Sequence, residues 1–509
     1  MKKLILIMWL LVLSQAVQAQ ADVNFDEIDE YLEQTVQDWG IPGMSVAIVK
    51  DGKIVFSKGY GVKEAGKKER PDGNTLYAIA SNSKAFTSAV IATLVQEGKL
   101  NWNDKVKTHL PYFEVYDPNI SQMVTLRDLL SHRVGLGTFS GDIMWYQSDF
   151  PVEEIIRRIR YVPQAFEFRA GYGYSNLMFI TAGELIHQVT GKSYAQNVKE
   201  RLLTPIGMDR TTCALDDLEK LGNYASPHAL VGDSVNVPIP WTSWEKIAAT
   251  GGLISSVNDV AKWMIFNMNH GIVGTDTILT PASRNLMWAP HNNFVVKHTT
   301  ESPYGRNFNG YGLGWSLRDY HNHFQVSHTG GYDGMITSVN MLPDEKLGVV
   351  VLTNGMKSPI NAVTHYIYDR FLGRPMYDWS ANQLERRNNW RKRDRRIPNR
   401  IKARIPDTKP SLPLEKYAGT YYSDLYGNIF VKEQEGKLSL DFEHSEFLDA
   451  TLEHWHYDTW RITWKSENPW FTFGTVKFTT NNDMRVKGIE FDVPNDDFYF
   501  EEINSRKID

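Results

Sequence analysis

Ser81 and Lys84 stand three residues apart in "YAIASNSKAF" (77–86), so on a helix a hydroxyl and an amine share one face, a turn apart. Such a pair can act as a nucleophile and its base: an unprotonated amine takes the hydroxyl proton while the oxygen attacks a carbonyl. Free lysine, with a pKa near 10.4, is a poor base at neutral pH, and burial beside positive charge would have to bring it to about 7–8. Ser-x-x-Lys recurs at Ser243 and Lys246 in "WTSWEK", so the pattern alone does not single out a nucleophile. Position separates the two. Ser81 opens a predicted amphipathic helix from about residue 82, with Phe86, Val90 and Leu94 at four-residue steps and Gly98 as its stop. A helix start favours a developing alkoxide, but serine there also serves as a plain N-cap. Ser243 follows "PIPW" in an irregular stretch with no helix to align it.

A lysine base needs a second group to carry the proton to the leaving atom. Tyr-x-Asn supplies a phenol and an amide together, at Tyr174 and Asn176, Tyr320 and Asn322, and Tyr426 and Asn428. Only the first lies in a glycine-rich turn, between "FRAGYG" and an apolar helix; a turn with a capping Asn is its plain reading. A third element, His328-Thr329-Gly330-Gly331, falls near the start of a predicted strand. An edge without bulky side chains can lie beside an extended substrate and offer backbone N–H groups, although a tight strand start needs the same glycines. There is no Gly-x-Ser-x-Gly elbow and no His-Glu-x-x-His motif. His321 with His323 and His454 with His456 have the spacing of exposed strand residues rather than of metal ligands.

These residues need a frame. "MSVAIVKDGKIVFSKGYG" (44–61) predicts a hairpin turning at Asp51-Gly52. A mostly helical middle follows, including "TLRDLLSHRVGL" (125–136) and "NLMFITAGELIHQVTG" (176–191). Strands return over 324–354 with a turn at Pro343 to Lys346, and a helix over 360–372 closes this part. The order predicts an α/β (α+β) fold: an antiparallel sheet flanked by helices, plus a helical region, then a small all-β barrel-like domain. The expected divisions are a signal peptide at 1–19, a main domain at 22–378, a basic linker at 379–410 and a β-barrel at 411–509. In the linker, Ser380 and Gln383 form a potential capping box and Pro398 is expected to stop the helix. Ten of the residues from 386 to 404 are Lys or Arg, which reads as a solvated helix or as a contact for anionic lipid or polymer.

The chain has 509 residues, too many for one ordinary domain. Lys2 and Lys3, the apolar run at 4–13 and Val17-Gln18-Ala19 make a secretory signal, which predicts a periplasmic or secreted protein. The single cysteine, Cys213, rules out an intrachain disulfide, so the core alone must hold the fold. Net charge is −5, and losing Lys2 and Lys3 leaves 53 basic against 60 acidic residues, a net −7 that argues against nucleic acid as a partner.

Taken in order, Ser81-x-x-Lys84, Tyr174-x-Asn176 and His328-Thr329-Gly330 resemble the serine β-lactamase and penicillin-binding-protein superfamily. The spacings of 93 and 154 residues are similar to its class C branch and the related D-peptidases and esterases. The match covers roughly 25–375, supported by "VTLRDLLSHRVGLG" (124–137) and "GGLISSVNDVAKW" (251–263); the C-terminal part resembles an appended lipocalin-like β-domain. The resemblance implies an acyl-enzyme on Ser81, with Lys84 and Tyr174 sharing the proton traffic and Asn176 orienting substrate or Lys84. It implies substrate binding by Asn176, His328, Thr329 and Gly330, an oxyanion hole from the backbone N–H groups of Ser81 and Gly331, and no metal or cofactor. One departure bears on the substrate. Class C β-lactamases usually carry lysine where this chain has His328, and a largely neutral histidine offers no permanent cation to a substrate carboxylate. The expected function is therefore an exported serine hydrolase of amides or esters, above all of D-amino-acid peptides. A β-lactamase and a degenerate module that binds cell-wall peptide without turnover are the alternatives. The expected partners are a small peptide, ester or β-lactam, with proximity to cell wall or membrane surface and oligomerisation through the C-terminal domain left open.

Overall fold

The computed structural model describes residues 23–296 and 303–509; the expected signal peptide lies outside them. Asn24 starts α1 (Phe25–Trp39) by accepting a hydrogen bond from the Asp26 N–H at 3.0 Å. The hairpin β1 (Gly43–Lys50) and β2 (Lys53–Gly61) turns where predicted, with Asp51 and Gly52 both left-handed at φ 51° and 76°. Helices α2 (Ser83–Gln96), α3 (Asn176–Thr190) and α4 (Val257–Met268) span the helical middle. The strands β3 (Asn292–Asn293), β4 (Asn309–Tyr311), β5 (Ser316–Tyr320), β6 (His323–Tyr332), β7 (Met335–Leu342) and β8 (Leu347–Thr353) follow. Helices α5 (Ile360–Phe371) and α6 (Trp379–Arg393) end this part. The eight strands form one sheet in the order β2-β1-β8-β7-β6-β5-β4-β3, with every pair antiparallel.

The sheet is covered on both faces, and the period of two in its strands shows it. Along β1, Val46 and Ile48 pack with Ile28, Leu32, Val363 and Ile367 of α1 and α5. Ala47 and Val49 turn the other way, into a second core with Phe86, Val90, Trp263 and Met264 of α2 and α4. Helix α2 departs from the expected amphipathic pattern: every residue from Ser83 to Leu94 is buried. Its polar residues blur the apolar period but find partners away from water: Thr87 gives its hydroxyl to the Ala249 carbonyl and Thr93 to that of Val90, both at 2.7 Å. The helix that carries the candidate lysine is thus a central rod with no solvated face.

The basic segment also differs from expectation. Asp378, not a Ser380–Gln383 box, caps α6 by accepting from the Ala381 N–H at 2.9 Å. Ser380 is occupied in docking, since its hydroxyl accepts from Trp39 Nε1 at 3.0 Å and its N–H donates to Tyr31. Pro398 stops nothing: α6 ends at Arg393, and Pro398 lies in the first turn of α7 (Arg396–Lys402), where a missing N–H is tolerated. Arginines of this stretch pair with both parts of the chain, Arg387 with Asp233, Arg396 with Asp496 and Arg400 with Asp492. Beyond it, β9 (Gly419–Ser423), β10 (Gly427–Gln434), β11 (Lys437–Phe442), β12 (Ala450–His456), β13 (Thr459–Trp464), β14 (Thr475–Thr480), β15 (Val486–Asp492) and β16 (Ser505–Lys507) close into an eight-stranded barrel. Leu438, Leu440 and Phe442 alternate into its core, and closure removes the exposed edges an open meander would carry.

Candidate active site

Ser81 sits in a single 3₁₀ turn, Ala80–Asn82, that leads into α2. Ala80 is held at φ 48°, an uncommon backbone for a residue with a Cβ, and such strain persists where surrounding packing enforces it. Neither the turn nor α2 uses a side chain as a cap. The Ser81 hydroxyl is therefore not a cap; it accepts from Lys84 Nζ at 3.1 Å.

Lys84 is fully buried. Its Nζ also donates to Asn176 Oδ1 and to the Thr250 carbonyl, both at 2.7 Å. Neither is a charged group, so burial drives the amine well below its ordinary pKa, opposed by the charge of Asp142. In the neutral amine the two short contacts take both N–H bonds, which leaves the lone pair for Ser81. Asn176, at the first turn of α3, is locked in place: its Nδ2 donates to Asp142 Oδ2 at 2.6 Å, and Thr250 Oγ1 donates to its Oδ1 at 2.9 Å. Asp142 accepts a second bond from Trp145 Nε1 at 2.8 Å, yet burial pushes its carboxyl up to about 8. Tyr174 lines the same cavity as Ser81, and its ring centroid lies 4.8 Å from Lys84 Nζ. Burial raises that phenol well above 10, so at neutral pH it holds its proton and can donate it.

The third element is not near a strand start, as expected, but in the second half of β6. The β5 ladder ends at Ser316–Ser327, whereas β7 pairs onward to Tyr332. Two-residue turns close both hairpins, so the odd residues of β6 face β5 and the even ones face β7. The backbone groups of Thr329 and Gly331 consequently point to an edge that β5 has vacated. Gly330 is required by contact: a Cβ there would lie 2.2 Å from the Ile79 carbonyl and 2.6 Å from Thr337 Oγ1. The glycine lets β6 press against the turn that carries Ser81. Gly330→Ala is expected to lower stability by about 2 kcal/mol, read as an earlier urea midpoint, and to slow turnover as the turn is displaced.

His328 is buried and neutral. A chain of four hydrogen bonds sets its tautomer. The Ser175 N–H donates to His132 Nδ1 at 3.0 Å, which leaves the proton on His132 Nε2, 3.3 Å from the Tyr311 hydroxyl. Tyr311 then donates to His328 Nε2 at 3.0 Å, and His328 Nδ1 donates to the Thr329 carbonyl at 2.6 Å. Burial and the neighbouring Lys84 hold His328 down at about 3.

One cavity of about 520 Å³ is lined by Ser81, Tyr174, Asn176, His328, Thr329, Gly330 and Gly331, among others. The rival patterns do not assemble. Ser243 only accepts a backbone bond from Glu245, while Lys246 donates to the carbonyls of Ser148 and Phe150 at 2.7 and 2.6 Å. Tyr320 gives its hydroxyl to Asp369, and Tyr426 is buried in the barrel. Among the described residues no group of His, Cys, Asp or Glu could hold a metal. Sequence reading missed Asp142, Thr250, His132 and Tyr311. His132 stands in the quoted "LLSHRVGL" and Thr250 directly precedes "GGLISS", but Asp142 and Tyr311 carry no local signal.

A family model described as Beta-lactamase matches residues 28–373, and one described as a domain of unknown function (DUF3471) matches 403–507. The unguisins hydrolase ungD' of Aspergillus campestris is 30% identical over 430 residues, 81% of this chain and 77% of that protein. Protein flp of Staphylococcus aureus strain MW2 is 29% identical and covers 70% of this chain and 68% of its own. Among solved structures, the octameric penicillin-binding protein homologue from Pyrococcus abyssi superposes with a TM-score of 0.61 at 22% identity, over 92% of this chain and 98% of that one. With Ser81 and Tyr174 lining one cavity and Lys84 buried behind it, 3.1 Å from the Ser81 hydroxyl, the chain belongs to the Beta-lactamase family and is a serine hydrolase of the β-lactamase and penicillin-binding-protein superfamily.

Proposed function

We propose that this protein is an exported hydrolase that cleaves amide or ester bonds of D-amino-acid peptides through an acyl-enzyme on Ser81. The observation that carries the reading is Lys84: buried, bonded only to neutral acceptors and 3.1 Å from the Ser81 hydroxyl. Lys84 takes the Ser81 proton as Oγ attacks the carbonyl, and Tyr174 delivers a proton to the leaving amine or alkoxide. The backbone N–H groups of Ser81 and Gly331 stabilise the oxyanion, and Asn176 keeps the lysine in line. Water then releases the acyl group, with Tyr174 and Lys84 carrying the proton back to Ser81.

The preference for peptide over β-lactam rests on the absence of a cation for a substrate carboxylate. His328 is held neutral, and among the described residues no lysine or arginine lines the cavity. A relative named as a hydrolase of unguisins supports a non-β-lactam substrate. The charged start and apolar run of residues 2–13 support export.

Intact mass after incubation with a penicillin, with the drug followed in the same tube, tests this reading beside a D-alanyl and an L-alanyl anilide. The expected result is hydrolysis of the D-anilide ahead of the L-anilide, with penicillin either leaving a lasting adduct on Ser81 or remaining intact. Rapid penicillin turnover without D-anilide cleavage would replace this reading by a β-lactamase.

A further inference from the structure

The barrel does not stand apart from the catalytic cavity. Its Trp470, Asp497 and Phe498 form part of the cavity wall. Trp470 is seated against the main domain: its Nε1 donates to Asp333 Oδ1 at 2.6 Å, and Tyr146 donates to the same oxygen at 3.0 Å. A Cβ on Gly331 would lie 3.0 Å from the Trp470 ring, so the indole borders the vacated edge of β6. Phe498 packs on Tyr146 with ring centroids 4.2 Å apart. A second contact ties the barrel to the loop before Asp142, where Ser140 and the Gly141 N–H both donate to the Glu502 carboxylate.

Among the described residues, two carboxyl groups line this cavity, Asp142 and Asp497. Both oxygens of Asp142 are engaged, one by Asn176 and one by Trp145. Asp497 is different. Its carboxylate accepts no hydrogen bond from any described residue and makes no ion pair among them, while its neighbour Asp496 takes Arg396. The loop under it is fixed, because Asn495 Oδ1 accepts the N–H groups of Asp497 and Phe498 at 2.9 and 2.6 Å, and Asn495 Nδ2 donates to two loop carbonyls. The arrangement is thus a half-buried, preorganised acid without a cation, in a cavity that also exposes the aromatic rings of Trp470, Phe498 and Trp145.

Half-buried carboxylates in apolar surroundings carry a desolvation penalty, and a cationic ligand offsets it. Aromatic faces beside the acid favour an ammonium over a neutral group. Resting on the proposed acyl-enzyme chemistry, we infer that Asp497 and the aromatic wall around it form a subsite for a primary ammonium group of the substrate. Two sources have this chemistry: the free α-amine of a peptide whose first residue is the acyl donor, and the side-chain amine of a basic residue. Burial and the charge of Asp496 push the Asp497 carboxyl up to about 6, so at neutral pH it is ionised and suited to this role.

Equilibrium binding to full-length Ser81→Ala protein, followed by tryptophan fluorescence, tests the subsite without requiring turnover. The probes are D-phenylalaninamide, N-acetyl-D-phenylalaninamide and N-acetyl-D-lysinamide. At least one amine-bearing probe is expected to bind about 10-fold or more tightly than N-acetyl-D-phenylalaninamide. That preference is expected to vanish in Ser81→Ala/Asp497→Asn, with affinity for the acetylated phenylalaninamide unchanged. Preference for the first probe assigns the α-amine; preference for the third assigns the side-chain amine. Equal binding of all three, no binding of any, or a preference that survives Asp497→Asn overturns the subsite. Failure of the hydrolase reading would appear separately, as absence of turnover by the wild-type protein.

Discussion

Ser81→Ala is expected to lower hydrolysis by at least about 10⁴-fold and to eliminate any covalent adduct, while the folded protein keeps its thermal midpoint. The hydroxyl it removes accepts from Lys84 and makes no cap, so little of the fold depends on it. Ser243→Ala is the matched control and is expected to leave activity unchanged, because Lys246 is committed to the carbonyls of Ser148 and Phe150. Intact mass and initial rates for the two variants decide the point together. An adduct that survives Ser81→Ala, or activity lost in Ser243→Ala, would move the nucleophile elsewhere.

Lys84→Met is expected to reduce acylation by about 10²–10⁴-fold, with substrate affinity largely retained. Methionine fills the buried channel but supplies no lone pair. Two pH effects should accompany it. In wild type the acid limb of kcat/KM rises well below pH 10.5, as the depressed lysine loses its proton. Stability carries the same signature with a definite sign. The unfolded chain holds the lysine proton up to its ordinary pKa, whereas the folded protein releases it earlier. Between those two values the unfolded state binds more protons, so wild-type stability rises with pH across that window. Lys84→Met lacks this gain, and urea midpoints of the two proteins measured from neutral to alkaline pH should diverge in favour of wild type. Parallel curves would mean that Lys84 is not depressed and would remove the base from the mechanism.

Local rules were sufficient for several elements. Asp51-Gly52 needs no tertiary context to turn a hairpin, since both residues accept the left-handed region. The pairing of Ser81 with Lys84 follows from helical spacing. Asn176 at the first turn of an apolar helix is equally local. Where expectation failed, a long-range contact had overruled a local rule. By its spacing from Gln383, Ser380 fits half of a capping box, but Trp39 and Tyr31 claim its polar groups from across the domain. Helix α2 reads as amphipathic, yet Thr87 gives its hydroxyl to the distant Ala249 carbonyl and every residue from Ser83 to Leu94 is buried.

The sequence by itself determined the chemical repertoire: a hydroxyl, an amine, a phenol and a glycine-rich strand, each carried on an element that local patterning could identify. Only the tertiary structure decided what those groups are. Lys84 holds its proton weakly because three segments far apart in the chain bury it and offer only neutral acceptors, and desolvation depends on packing from all sides. His328 is neutral because burial and the neighbouring Lys84 disfavour its charged form, and its tautomer is set by Ser175, His132 and Tyr311, residues from three separate stretches. Part of the cavity wall comes from the barrel, whose Trp470, more than a hundred residues beyond β6, reaches Asp333. Residue types are local, but proton affinity and cavity shape are set by whatever surrounds them, and that is a property of the folded chain.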